Sequence, residues 1–232
     1  MILSNNNINK KVLLTASDLL EVPIGENGST LVGLRDKLPS LLVEYEKDDM
    51  IAYTGDDILV REELIPLIKE SYNLMQKQHP GYNFLIRYGY RHPEVQKRYF
   101  DNRYNIHKNA NPNLSEMELI ELTHTQVALP EVAGHPSGGA VDLTIVDKKG
   151  NELDMGTRIA DYTDPEKCFT YANSISTQQK ENRFFLADIM LNAGFAPYNG
   201  EWWHFSYGDR EWARFYNQPS SLFGQINFRQ KN

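Results

Sequence analysis

The stretch Gly134 to Val146, GHPSGGAVDLTIV, decides how this chain folds. Ala140 to Val146 is apolar and rich in β-branched residues, the composition of a strand. Asp147-Lys148-Lys149-Gly150 then reads as a hairpin turn leading into Glu152-Leu153. A histidine, His135, stands seven residues before an aspartate, Asp142, with glycines and other small residues between them. A strand that opens on such a pair is half of a metal site if the rest of the chain supplies a partner.

Downstream, Thr177 to Ala193 carries Phe184, Phe185, Ala187, Ile189, Met190 and Leu191 at helical spacing and stops at Gly194, a helix-ending glycine. Phe195 and then Glu201 to Tyr207 read as strands. Upstream, Arg61 to Gln78 places Leu64, Ile65, Leu67, Ile68, Tyr72 and Met75 on one helical face, with Pro66 near its start, where proline is tolerated. Phe84 to Ile86 reads as a short buried strand. Pro93 to Tyr104 and Ser115 to Thr125 read as helices, the second capped by Ser115, with the loop HKNANPN between them. Val12 to Tyr53 looks like loop and short strands. Residues 1–11 are polar and expected to be flexible, and the tail from Ser220 is expected to be peripheral. The expectation is a single α+β domain over residues 1–232, with a central, mostly antiparallel sheet flanked by α-helices.

The 232 residues suffice for one well-packed domain. A net charge of −7 and the lack of any Lys/Arg cluster argue against nucleic acid as partner. The single cysteine, Cys168, excludes an internal disulfide and a cysteine-rich zinc finger. The amino-terminal residues MILSNNNINKKVLLT show neither a signal peptide nor a membrane span. The expected compartment is the cytoplasm, or the periplasm if a presequence has been removed.

The second half of the metal site is Glu201-Trp202-Trp203-His204-Phe205. His135, Asp142 and His204 give two nitrogens and one oxygen, a donor set that suits one Zn²⁺ per chain and leaves a position open for water. Zinc lowers the pKa of such a water to roughly 7. Glu201 is the candidate base. Residues three apart on a regular strand face opposite ways, so Glu201 is expected in the loop after Asn199-Gly200 rather than in the strand. Arg91, at a turn after a buried strand, is the candidate for stabilising an oxyanion. Gly138, Gly139 and Ala140 are expected to keep side chains clear of a bound peptide. Tyr90 and Trp203 are further candidates for substrate contact. His79, His92, His107 and His124 read as structural or surface residues.

HPSGGAVD followed by EWWHF resembles the M15 metallopeptidases, whose pattern is H-x-x-G-x-A-x-D and later E-x-W-H. GYRHP around Arg91, LDMGT at Leu153 to Thr157, NRFFLADIMLNAGF at Asn182 to Phe195 and the doubled tryptophan are similar to the D-alanyl-D-alanine dipeptidase branch, the VanX-like enzymes. The resemblance covers roughly residues 20 to 215. It implies an α+β fold and one zinc ion, with His135, Asp142 and His204 as ligands, Glu201 as base and Arg91 as the oxyanion-stabilising arginine. The branch usually has MGT-x-F-D, whose aspartate holds the ammonium of the dipeptide. Here Ala160 takes that place and Asp161 follows, so Asp161 is the candidate anchor. Ala133 likewise stands where well-known members carry a serine. The implied activity is hydrolysis of D-Ala-D-Ala. The alternatives are a D,D-carboxypeptidase trimming peptidoglycan stems and a zinc-binding module without catalysis.

Overall fold

A computed structural model describes residues 13–230. The expectation of flexibility for residues 1–11 therefore lies outside the described residues. The strands are β1 (Leu31–Gly33), β2 (Leu42–Val43), β3 (Leu59–Arg61), β4 (Asn83–Tyr88), β5 (Ala140–Val146), β6 (Ala196–Pro197) and β7 (His204–Ser206). The helices are α1 (Ala16–Leu20), α2 (Leu34–Lys37), α3 (Ile51–Thr54), α4 (Leu64–Gln78), α5 (Pro93–Ala110), α6 (Glu116–His124), α7 (Thr177–Asn192) and α8 (Arg210–Phe215). The main sheet runs β2-β4-β5-β7-β6, antiparallel except for the parallel β2–β4 pair, and β1 and β3 form a separate antiparallel ribbon. The expected α+β fold with a mostly antiparallel central sheet is what forms.

β5 lies at the centre, and all seven of its residues are buried. Side chains alternate across a strand, so its two faces have different fates. Val141, Leu143 and Ile145 enter the main apolar core with Leu64, Ile68 and Met75 of α4 and Leu186, Ile189 and Met190 of α7. Asp142 is on the other face. In register, Asp142 stands opposite Tyr88 on β4 and opposite His204 on β7. Directly opposed residues of an antiparallel pair share a face at short range. Sheet pairing alone therefore joins two residues that are 62 apart in sequence.

Several elements differ from the sequence expectation for identifiable reasons. The early segment holds the short helices α1, α2 and α3 as well as strands, with α1 closed by a capping box between Thr15 and Asp18. α5 continues to Ala110, through part of the expected loop. It stops where Asn111 precedes Pro112, and Asn111 takes φ −132° and ψ 66°, because a residue before proline is driven out of the helical region. Asn-rich composition alone did not end it. The strand containing His204 starts only at that residue. Trp202 and Trp203 form a turn, and Glu201 lies just before them, outside the strand, where the sequence placed it.

The tail is not peripheral. Phe223 is buried in the core, Ile226 N–H donates to Pro136 O at 2.8 Å, and Tyr90 O–H donates to Ile226 O at 2.7 Å. Among the described residues no helix is long and apolar enough to cross a membrane.

Arg61, 2% exposed, ties these pieces together. Its Nε donates to Ser137 O at 2.7 Å, Nη2 donates to Gly224 O at 2.9 Å, and Nη2 meets Glu26 Oε2 at 2.7 Å. It thus locks the turn after His135 against β3 and the tail. Arg61→Ala strands buried carbonyls and Glu26, and should cost about 3 kcal/mol or more in urea unfolding. A loss under about 1 kcal/mol would show the arginine to be dispensable.

The glycines of the opening motif serve internal packing. Gly138 takes φ +75°, and a Cβ on it would lie 2.6 Å from Leu31 Cδ2. A Cβ on Gly134 would lie 2.0 Å from Asp209 Oδ2. Only Gly134 of these two borders the cavity described next. The expected role of Gly138, Gly139 and Ala140 in clearing room for a peptide is therefore replaced by close approach of backbone and neighbouring side chains.

Candidate metal centre and active site

His135 opens a single 3₁₀ turn, His135–Ser137, just ahead of β5. Its Nδ1 lies 2.7 Å from Gly89 O. A carbonyl only accepts, so Nδ1 carries the proton and Nε2 presents a lone pair. That Nε2 faces Asp142 Oδ2 at 3.3 Å. Burial holds the His135 pKa below its ordinary value, against the pull of Asp142. A neutral imidazole lone pair and a carboxylate oxygen at this distance are two acceptors face to face, an arrangement that calls for a cation between them.

His204 completes the cluster. Its Nδ1 is 3.1 Å from Asp142 Oδ1 and its Nε2 is 3.3 Å from Glu211 Oε2. Burial disfavours the imidazolium, but Glu211 and Asp142 outweigh burial and raise the His204 pKa well above normal. The Asp142 carboxyl, though buried, is pulled below the usual range by His135 and His204. One donor atom each from His135, Asp142 and His204 lies within 4.8 Å of the others. Two imidazoles and one carboxylate in that space fit a divalent ion such as zinc. The ion would replace the proton between His204 and Asp142, while Glu211 retains the one on Nε2.

Glu201 stands beside this cluster, with Oε2 4.0 Å from His204 Nδ1, and Tyr162 O–H donates to its Oε1. Burial, with help from Asp142, raises the Glu201 pKa to about 7 against the opposing pull of His204. Arg91 approaches the same cluster, with Nη2 3.8 Å from Asp142 Oδ2. Its Nη1 donates to Gln96 Oε1 at 2.9 Å, and its guanidinium lies 4.4 Å from the Tyr88 ring centroid and 5.2 Å from that of Tyr99. Both tyrosine hydroxyls donate to Asp49, so Arg91 rests in a fixed aromatic cradle. His135, Asp142, His204, Glu201, Arg91 and Tyr162 all border one cavity of about 290 Å³.

Trp203 also borders it, edge-on to Tyr162 with ring centroids 5.9 Å apart. Two expected substrate contacts lie elsewhere. Tyr90 is fully buried beneath the tail. Asp161 is outside the cavity, with its carboxylate taken by Thr163 N–H and O–H. The physical reason is Ala160, which takes a left-handed φ of 56° and turns the chain so that Ala160 and Tyr162 line the cavity instead. Tyr162 and Glu211 also line the cavity and carry no sequence signal, whereas His124, buried as a structural histidine and accepting from Leu129 N–H at 3.1 Å, borders it. Glu211 has no strand pattern to betray it. Its place depends on the turn after β7 and on the α8 cap, where Asp209 accepts from Trp212 N–H at 2.8 Å.

Carboxylates that hold the far nitrogen of a ligating imidazole tune metal affinity by roughly 10- to 100-fold. Glu211→Gln and Glu211→Leu should weaken zinc binding within that range in chelator competition, with the leucine variant weaker. Unchanged affinity in both would remove Glu211 from the centre.

A two-histidine, one-carboxylate cluster facing a cavity, with a half-buried acid alongside, is a donor arrangement of mononuclear metallopeptidases. The family model for M15 peptidases, described as D-Ala-D-Ala dipeptidase, matches residues 46–225. The chain belongs to the M15 peptidase family. It is 40% identical over 93 residues to a D-alanyl-D-alanine dipeptidase of Synechocystis, a match covering 36% of this chain and 38% of that protein. It is 35% identical over 106 residues to one from Enterococcus faecium, covering 45% and 50%. A third, from Escherichia coli, is 38% identical over 73 residues, covering 32% and 37%. The chain thus spans half or less of the length of these relatives.

Proposed function

We propose that the chain hydrolyses a D,D-peptide bond with one zinc ion held by His135, Asp142 and His204, and that D-Ala-D-Ala is its substrate. When bound there, zinc supplies Lewis acidity that polarises the scissile carbonyl and acidifies water. Glu201 takes the water proton and returns it to the leaving amine. Tyr162 holds one Glu201 oxygen so that the other faces the ligands. Arg91 opposes the charge that develops on the carbonyl oxygen. Trp203 and Tyr162 close the wall behind the base and limit bulk water there.

The observation that carries this reading is the half-buried Glu201 carboxylate, 4.0 Å from the His204 imidazole, on a cluster that borders the cavity. A purely structural zinc site has no use for it. The test is release of D-alanine from D-Ala-D-Ala by the zinc-loaded protein, with L-Ala-L-Ala as control. No release at full zinc occupancy overturns the proposal.

One observation favours a second reading, trimming of longer stem peptides. The carboxylates lining the cavity, Asp142, Glu201 and Glu211, all crowd the histidines, and Ala160 presents only a methyl group. None of the three is left to hold a free ammonium. Faster cleavage of N-acetyl-D-Ala-D-Ala than of the free dipeptide would decide for this reading, and the reverse order would decide against it.

A further inference from the structure

The stretch Gly89-Tyr90-Arg91-His92-Pro93 sends one side chain to the cavity and two to the tail. Arg91 borders the cavity. Tyr90 and His92, on either side of it, are fully buried and bond to the tail. The Tyr90 hydroxyl donates to Ile226 O at 2.7 Å and accepts from Phe228 N–H at 2.9 Å. His92 Nδ1 accepts from Glu94 N–H at 3.2 Å, so the ring proton sits on Nε2, which donates to Asn227 Oδ1 at 2.6 Å. Residues 226–228 therefore form a strap that grips both neighbours of Arg91.

The strap reaches Arg91 by two routes. The first is backbone. Arg91 N–H donates to His135 O at 3.1 Å, and His135 Nδ1 donates to Gly89 O, so the arginine turn and the turn that carries His135 are paired. Ile226 bonds to both, through its N–H to Pro136 O and through its carbonyl to Tyr90. The second route is α5. His92 is its N-cap, so the hold of Asn227 on His92 helps to set where the helix begins. One turn on, Gln96 accepts from Arg91 Nη1, and Tyr99 then supplies an aromatic face to the guanidinium. A displaced cap would carry both partners away from Arg91.

We propose that Tyr90 and His92, held by the strap, are positioning residues that fix Arg91 for the charge developing on the carbonyl oxygen. This rests on the hydrolytic reading above. Neither residue touches substrate. Their effect belongs to the transition state, so their loss lowers kcat and leaves KM in place. Misplacement of a catalytic group by about 1 Å can cost on the order of 10²-fold.

The test uses Tyr90→Phe and Asn227→Leu. Tyr90→Phe keeps the ring and its edge contact with Phe228, so the fold is retained. Each variant should lower kcat for D-Ala-D-Ala roughly 10- to 100-fold, with KM within a few-fold and zinc content unchanged. Asn227→Asp, which still accepts from His92, should recover most of the loss. A phosphinate mimic of the dipeptide gives a readout without turnover: calorimetry should show its affinity falling in step with kcat. Added to Arg91→Ala, Tyr90→Phe should cause no further loss in kcat, because the group it positions is gone. A kcat within about twofold of wild type in both variants, a rise in KM alone, or an equal loss with and without Arg91 overturns the assignment and leaves the hydrolytic reading intact. A zinc-loaded wild type that does not cleave D-Ala-D-Ala overturns both.

Discussion

Glu201→Ala should keep one zinc per chain and lose kcat by roughly 10²- to 10⁴-fold, the range for removing a positioned general base. The separation of these two effects is the point of the experiment. Glu201 is not one of the three clustered donors, so its removal leaves His135, Asp142 and His204 in place. The alanine variant also frees the Tyr162 hydroxyl and opens space at the wall. Glu201→Gln is the needed companion, since it keeps the volume and still accepts from Tyr162 while being unable to take a proton. Both variants should show the same fall in kcat, with zinc content measured by metal analysis. Activity within a few-fold of wild type in either variant would remove the base from the mechanism. Loss of zinc in both would mean instead that Glu201 holds the centre together.

This expectation was open to sequence reasoning because the residues concerned sit in short, unusual contexts. Asp142 and His204 join through strand register, and register follows from the buried run Ala140 to Val146 pairing with the short strand that starts at His204. Glu201 was legible as a loop residue because Asn199-Gly200 precedes it. The cavity walls were not legible. Tyr162 enters because Ala160 adopts a left-handed φ, a local backbone choice that no apolar pattern encodes. Gln96 and Tyr99 lie on a stretch of α5 with no hydrophobic stripe strong enough to declare which side faces inward. Glu211 depends on how α8 packs after its cap. Sequence marks groups that pairing must bring together. Groups that reach a site across a turn or from a packed helix depend on tertiary geometry, and their positions must be seen.

The same contrast explains how the centre is built. Asp142 is on the sheet, flanked in register by Tyr88 and His204, so its position is set by backbone hydrogen bonds on both sides. His135 is on a turn, fixed by Gly89 O through its ring and by the Arg61 bond to Ser137 O through its backbone. His204 is held at its far nitrogen by Glu211. Each of the three clustered donors thus has a separate support, which would limit the ordering cost of binding an ion.

Asp142→Ala should have the widest consequences. It deletes the one anionic donor and leaves two imidazoles facing an uncompensated space, so zinc affinity should fall by far more than a support residue such as Glu211 would cause. Hydrolysis should fall with it, to below roughly one-thousandth of wild type at stoichiometric zinc. Thermal unfolding supplies a readout free of turnover. An ion that binds only the native state stabilises by an amount that grows with the logarithm of its concentration over Kd, about 2.7 kcal/mol at a hundredfold excess over Kd. Wild-type Tm should therefore climb with added zinc and drop on chelation, whereas Asp142→Ala should show neither response. The metal-free variant has its own physics. His204 loses one of the two carboxylates that raise its pKa but keeps Glu211, so the ring stays anchored at Nε2 while Nδ1 loses its partner. The fold should survive, with near-wild-type circular dichroism, because the apolar face of β5 is untouched. A variant that still gains Tm from micromolar zinc would show that the ion is held elsewhere, and the assignment of the centre to His135, Asp142 and His204 would fall with that result.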